Sequence, residues 1–181
     1  MSVKTHKTTI YHIPNFAQYV GFYTAHMVWS LEEGDNVAPL FGVQNGNEAC
    51  FERFEGESYE NAAAKAKEQY NSMSLSNGDY ALLGYDGFLT RGDKREESLF
   101  IHAFENRGQA GMAFAVIVPY ISARNAGGLI IGQIEIFSPK NFSDSDKNLF
   151  LNNFKKGAYN HTKGFEFWYK HWDRNSEPIL M

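Results

Sequence analysis

The sequence has little cysteine, little proline and no excess of one charge, and each shortage removes a class of function. Cys50 is the single cysteine. It can form no intramolecular disulfide, and no cysteine-based zinc centre exists. One thiol without a bridge fits a reducing compartment, so a cytoplasmic location is expected. The five prolines are scattered through 181 residues. No Pro-, Gly- or Ser-rich linker, internal repeat or low-complexity tract divides the chain, so one domain over 1–181 is expected. The tail from Asn175 to Met181 is expected to fray.

The formal net charge is −4. A mildly acidic chain draws no polyphosphate by its overall field. Its densest basic cluster, Lys94-Arg95, is followed at once by Glu96-Glu97. Nucleic acid is therefore not an expected partner. Long apolar runs are missing too. Ile10 to Leu31 is interrupted by Pro14, Asn15, Gln18, Thr24 and His26. That stretch is too polar for a membrane span and lacks the compact core of a signal peptide. No membrane partner is expected.

Catalytic signatures are equally scarce. The glycine-rich dinucleotide turn, the P-loop and the nucleophile elbow are all absent. Asn125-Ala126-Gly127-Gly128 precedes a predicted strand, so it offers no helix start to a phosphate. The six histidines form no His-Glu-x-x-His pair, and no metal or other cofactor is expected. Cys50, between Ala49 and Phe51 on a predicted strand, reads as a buried, inert thiol.

What the chain has in excess is rings. Fifteen Phe, ten Tyr and three Trp make up 15% of it. The plain reading is a core built of rings, and the sharper one is that some line a pocket or a contact surface. Thr8 to His12 reads as a short strand. Pro14 then opens a helix to about Glu33. Phe16, Tyr19, Val20, Tyr23, Met27 and Leu31 make its core stripe, and Phe22, Ala25 and Trp29 lie off it. A helix apolar on more than one side is either central to the fold or part of a subunit contact. Leu40–Val43 and Glu48–Phe54 read as a hairpin turning at Asn45-Gly46. Ser58 caps a second helix to Met73.

Asp79–Arg91, Ser98–Asn106, Gly111–Ile121 and Leu129–Phe137 follow as four strands with short connections. A bulge is expected at Asp86-Gly87. Ser143 caps a third helix to about Tyr159, and Gly164–Trp172 alternates like a last strand. The expected fold class is α+β. It comprises a single antiparallel sheet, with a central four-stranded meander over 79–137 and about three helices packed mainly on one face.

The candidate site is a polar set on this apolar sheet. Buried polar groups must find partners. His102, flanked by Phe100 and Phe104, would be the acid or base, and Glu135 would orient it. Asp86, Gln133 and Trp168 are the candidate ligand contacts, Trp168 as part of an aromatic surface. The plain alternative is that His102 is partly exposed or satisfied by a hydrogen bond and Glu135 faces water. Missing motifs and abundant rings favour a non-enzymatic binding or protein-interaction module, a homo-oligomer through the first helix or the sheet. The competing reading is a small enzyme using acid–base chemistry around His102.

Overall fold

The computed structural model describes residues 3–34, 36–46, 48–108 and 111–176. Its strands are β1 (Lys4–Ile10), β2 (Leu40–Asn45), β3 (Glu48–Glu55), β4 (Tyr80–Arg91), β5 (Lys94–Glu105), β6 (Met112–Ile121), β7 (Ile130–Ile131) and β8 (Glu135–Phe137). Its helices are α1 (Phe16–Trp29), α2 (Tyr59–Ser72), the single turn α3 (Ala123–Ala126), α4 (Asp144–Asn160) and α5 (Thr162–His171). The strands form one sheet in the order β1-β3-β2-β4-β5-β6-β7, with β8 also paired to β6. Every strand pairing is antiparallel. The α+β class and the antiparallel sheet are as expected. The sheet is larger than a four-stranded meander, and there are five helices among the described residues rather than about three.

The two faces of the sheet are covered differently. On the inner face Leu82, Leu99, Ile101, Val116 and Val118 are fully or almost fully buried in the main core. Helix α1 crosses this face, and eleven of its fourteen residues are buried. Helix α4 then covers the back of α1. The two backbones meet at glycines: a Cβ on Gly157 would lie 1.9 Å from the Gln18 carbonyl oxygen, and one on Gly21 would lie 2.0 Å from that of Phe154. Helix α1 is thus central to the fold, with most of its residues buried. On the outer face α2 lays Ala62 and Ala66 against Phe41, Phe54, Ala81 and Leu83. Small side chains let it sit close over β3, β2 and β4.

The caps explain where the helices begin. Ser58 Oγ accepts from Asn61 N at 3.2 Å. Ser143 and Asp146 form a reciprocal capping box, which satisfies two amide donors at the start of α4. Helix α1 is capped by Asn15, whose side chain accepts from Gln18 N at 3.0 Å. It therefore starts two residues after Pro14.

Four expectations are corrected. First, Gly164–Trp172 is not a strand but most of α5. Phe165 and Tyr169 stack four residues apart, and Phe167 meets His171 at the same spacing with tilted rings. Gly164 and Trp168, also four apart, are buried. Over so short a window the rings satisfy a period of two and a period of 3.6 equally, and burial of Trp168 decides for the helix. Second, Asp86-Gly87 is neither bulge nor turn, because Asp86 pairs with Leu99 and Gly87 with Ser98 in unbroken register. Third, the bulge lies instead inside the expected strand Leu129–Phe137. Ile131 pairs with Tyr120 and Glu135 with Ile117, so four steps on one strand oppose three on the other. Fourth, the first strand runs over Lys4–Ile10 rather than Thr8–His12, as the edge partner of β3. In the β2–β3 hairpin Asn45 still pairs, with Glu48, and the chain turns from Gly46 onward; position 47 lies outside the described residues. Of the tail, positions 177–181 also lie outside them. No helix among the described residues is long and apolar enough to cross a membrane.

Candidate functional site

The extra residue at the bulge decides what the outer face presents. A one-residue slip turns every later side chain to the opposite face. Ile131 and Ile134 are buried in the inner core. Beyond the slip, Glu135 and Phe137 emerge on the outer face beside Ile117 and Ala115. Helix α2 does not reach this half of the sheet. Phe100, Ala115, Ile117 and Pro119 are half-buried there, Ile121 is 46% exposed and Phe137 is 52% exposed. Among the described residues no element covers them.

His102 stands at the border of this patch. Its ring stacks on Tyr85, which stacks in turn on Phe100, with centroids 5.6 and 5.5 Å apart. The Tyr85 hydroxyl lies 2.9 Å from His102 Nε2. The side chain is exposed, yet its contact with these rings, and secondly the charge of Lys67, lower the His102 pKa.

The other sequence-derived site residues go to separate places. Glu135 is paired with Arg91. It shares the outer face with His102, but β6 runs between their strands, a separation of roughly 10 Å at ordinary strand spacing. Gln133 sits in the bulge and lines an open cleft of about 930 Å³ with Glu135, Arg95 and Phe88. Asp86 is on the inner face. Its carboxylate accepts from the Tyr120 hydroxyl at 2.9 Å and from Val37 N at 3.3 Å. Burial raises its pKa, and the Tyr120 hydrogen bond pulls the other way. These bonds tie β4 to β6 and to the segment before β2. Trp168 is fully buried in the main core. The structure thus brings Gln133 and Glu135 to one cleft, and it does not gather His102, Asp86 or Trp168 around them.

A second constellation went unseen in the sequence. His26 on α1 and His161 at the α4–α5 junction face each other, Nδ1 to Nε2 at 3.0 Å. His161 Nδ1 accepts from Gly164 N at 2.9 Å, as the N-cap of α5. An imidazole nitrogen that accepts from an amide carries no proton, so His161 must bear its hydrogen on Nε2. That hydrogen is donated to His26 Nδ1, which places the hydrogen of His26 on Nε2. Burial, then the nearby His161 and Arg53, lower the His26 pKa to about 3. Beside the pair lies a groove of about 320 Å³, walled by Phe22, Trp29, Phe51, Leu40 and Ile10. Phe22, His26 and Trp29 follow one another at helical spacing, off the core stripe of α1, and that was the available signal. Nothing near His161 announced that a chain segment 135 positions away would meet it. Among the described residues no three His, Cys, Asp or Glu side chains are placed to hold a metal ion.

No family model matches this chain, and neither a curated protein nor a solved structure matches it significantly.

Proposed function

We propose that this protein is a non-enzymatic interaction module that self-associates through the open half of its outer sheet face. The observation that carries this reading is the contiguous apolar surface of Phe100, Ala115, Ile117, Pro119, Ile121 and Phe137, left bare by α2. Apolar patches of this kind mark contact sites on soluble proteins. A second copy suits it for two reasons. Half-buried rings and branched side chains on a twisted sheet can interdigitate with another such face about 10 Å away. At its border Arg91 and Glu135 neutralise each other, so this pair adds no net charge to a two-fold contact.

Sedimentation equilibrium tests the reading. The wild-type chain is expected to associate in the micromolar range. Ile117→Asp, which places an unpaired charge at the centre of the patch, should be monomeric at the same concentrations with an unchanged circular dichroism spectrum. A wild-type chain that stays monomeric at the highest attainable concentration would refute self-association.

A further inference from the structure

The histidine groove is chemically unlike the rest of the surface. It lies between α1, the start of α5 and the inner faces of β1 and β3, and His6, Thr8 and Arg53 complete its lining. Its size is at the small end of ligand pockets, and its walls are mainly rings and aliphatic chains, as such pockets require. Two kinds of donor enter it. One is His26 Nε2–H, for which nothing among the described residues accepts. Its tautomer is fixed by the chain of bonds from Gly164 N through His161. The other is the guanidinium of Arg53. Its Nη1 reaches Glu33 at 2.5 Å and its Nη2 reaches Ser30 Oγ at 3.2 Å, which leaves three of its five N–H groups for other acceptors. Lys163 adds positive charge over the Trp29 ring, 5.3 Å from its centroid. The nearby carboxylates are occupied: Glu33 by Arg53, Glu32 by the Trp29 indole N–H at 2.7 Å, and Glu55 by His6 at 3.5 Å.

We propose that this groove binds a small hydrophobic carboxylate. The carboxylate accepts from His26 Nε2–H and from the free edge of the Arg53 guanidinium, and the hydrocarbon part lies against Phe22, Trp29, Phe51 and Leu40. A monoanion fits better than a phosphate. One neutral imidazole donor and one guanidinium already half-compensated by Glu33 would leave a second negative charge without a direct partner in an apolar groove, because Lys163 lies over Trp29 and not in the lining. An amine would meet donors and like charge. The imidazole pair acts as a fixed dipole here, because neither ring can take a second proton without giving up a hydrogen bond. The groove is remote from the open half of the sheet, so this site stands or falls independently of self-association.

The test uses the full chain and three probes, benzoate, 3-phenylpropanoate and octanoate, with 3-phenylpropylamine and 3-phenylpropanol as controls. Binding is followed by tryptophan fluorescence and by the ¹⁵N shifts of the histidine rings. At least one carboxylate should saturate and move the His26 and His161 signals. The matched amine and alcohol should bind at least about tenfold more weakly, the loss expected when hydrogen bonds to a charged group are removed. Arg53→Met and His26→Phe should each weaken the carboxylate by a similar factor. Should His26→Phe not fold, His26→Gln, which keeps an N–H donor, should retain most of the affinity. Ile117→Asp should bind like the wild type. Failure of all three carboxylates to saturate, equal binding of the amine or alcohol, or unchanged binding by Arg53→Met would each overturn the proposal.

Discussion

The two faces of this sheet are built from the same residue types and end in opposite conditions. Val116 and Val118 on the inner face are completely buried, while Ala115, Ile117 and Pro119, interleaved with them on β6, keep part of their surface in water. Composition does not separate the two sets, and neither does strand propensity. The difference is the cover. Three helices are stacked over the inner face, two of them held in backbone contact through glycine, and α2 is long enough to close only β3, β2 and β4 of the outer one. A hydrophobic residue is informative about function when its cover is missing, and cover is a property of topology.

The comparison is broken most forcefully from the inside. Phe154 on α4 is wholly buried and packs near Phe150, with ring centroids 6.5 Å apart. Phe154→Ala removes a ring from a closed core and leaves a cavity, so a loss of about 3–5 kcal/mol in urea unfolding is expected. Because the inner face is not the contact surface, the folded fraction should still self-associate with wild-type affinity. Parallel loss of association would mean that the two faces are not independent.

A smaller effect comes from the histidines, which also divide between the faces. Unfolded, an imidazole takes up its proton as pH falls through about 6.5, whereas folded His26 resists protonation down to about 3. In this window the unfolded state binds more protons, so stability falls as pH falls. The limiting slope for His26 is roughly 1.4 kcal/mol per pH unit, and about 1 kcal/mol should be lost between pH 7 and pH 5.5. His161 and His102 shift in the same direction. The diagnostic quantity is therefore the difference in slope between the wild type and His26→Phe. Identical pH profiles for the two would show that the buried pair is not held neutral.

How much of this was legible in the sequence follows from which interactions are local. The caps at Ser58 and Ser143 are set by residues within one turn, and both form as their spacing indicates. The long strands β4, β5 and β6 are apolar segments closed off by turn-rich residues, and that punctuation is enough to place them. Helix α5 resembles a strand in sequence because its rings obey two periods at once over ten residues. The short halves flanking Asp86-Gly87 point to a bulge there, yet it forms at Gly132-Gln133-Ile134, where the strand pairs with both the end and the middle of β6. The slip puts Glu135 on the same face as His102, but β6 lies between their strands and Glu135 pairs with Arg91 instead. That separation is set by strand order, which no local pattern in the sequence carries. The His26–His161 contact depends on α5 being a helix with His161 as its cap, so no reading that held 164–172 as a strand could reach it.

The smallest expected effect on stability is also the sharpest test of the two faces. Phe137 lies at the outer end of the open patch, more than half exposed, on the three-residue strand β8. Phe137→Ser removes a ring that the folded monomer barely uses, so unfolding free energy should change by no more than about 0.5 kcal/mol. If the ring is buried between two copies, its loss removes apolar contact area from both sides of a two-fold interface. Association should then weaken by roughly tenfold or more, at the lower end of what truncating an interface ring does. Equal stability with weaker association would confirm that the outer half-face stays bare in the monomer in order to be covered by a partner. Equal stability with equal association would move the contact elsewhere, whereas a large loss of stability would mean that this end of the sheet is already covered within the single chain.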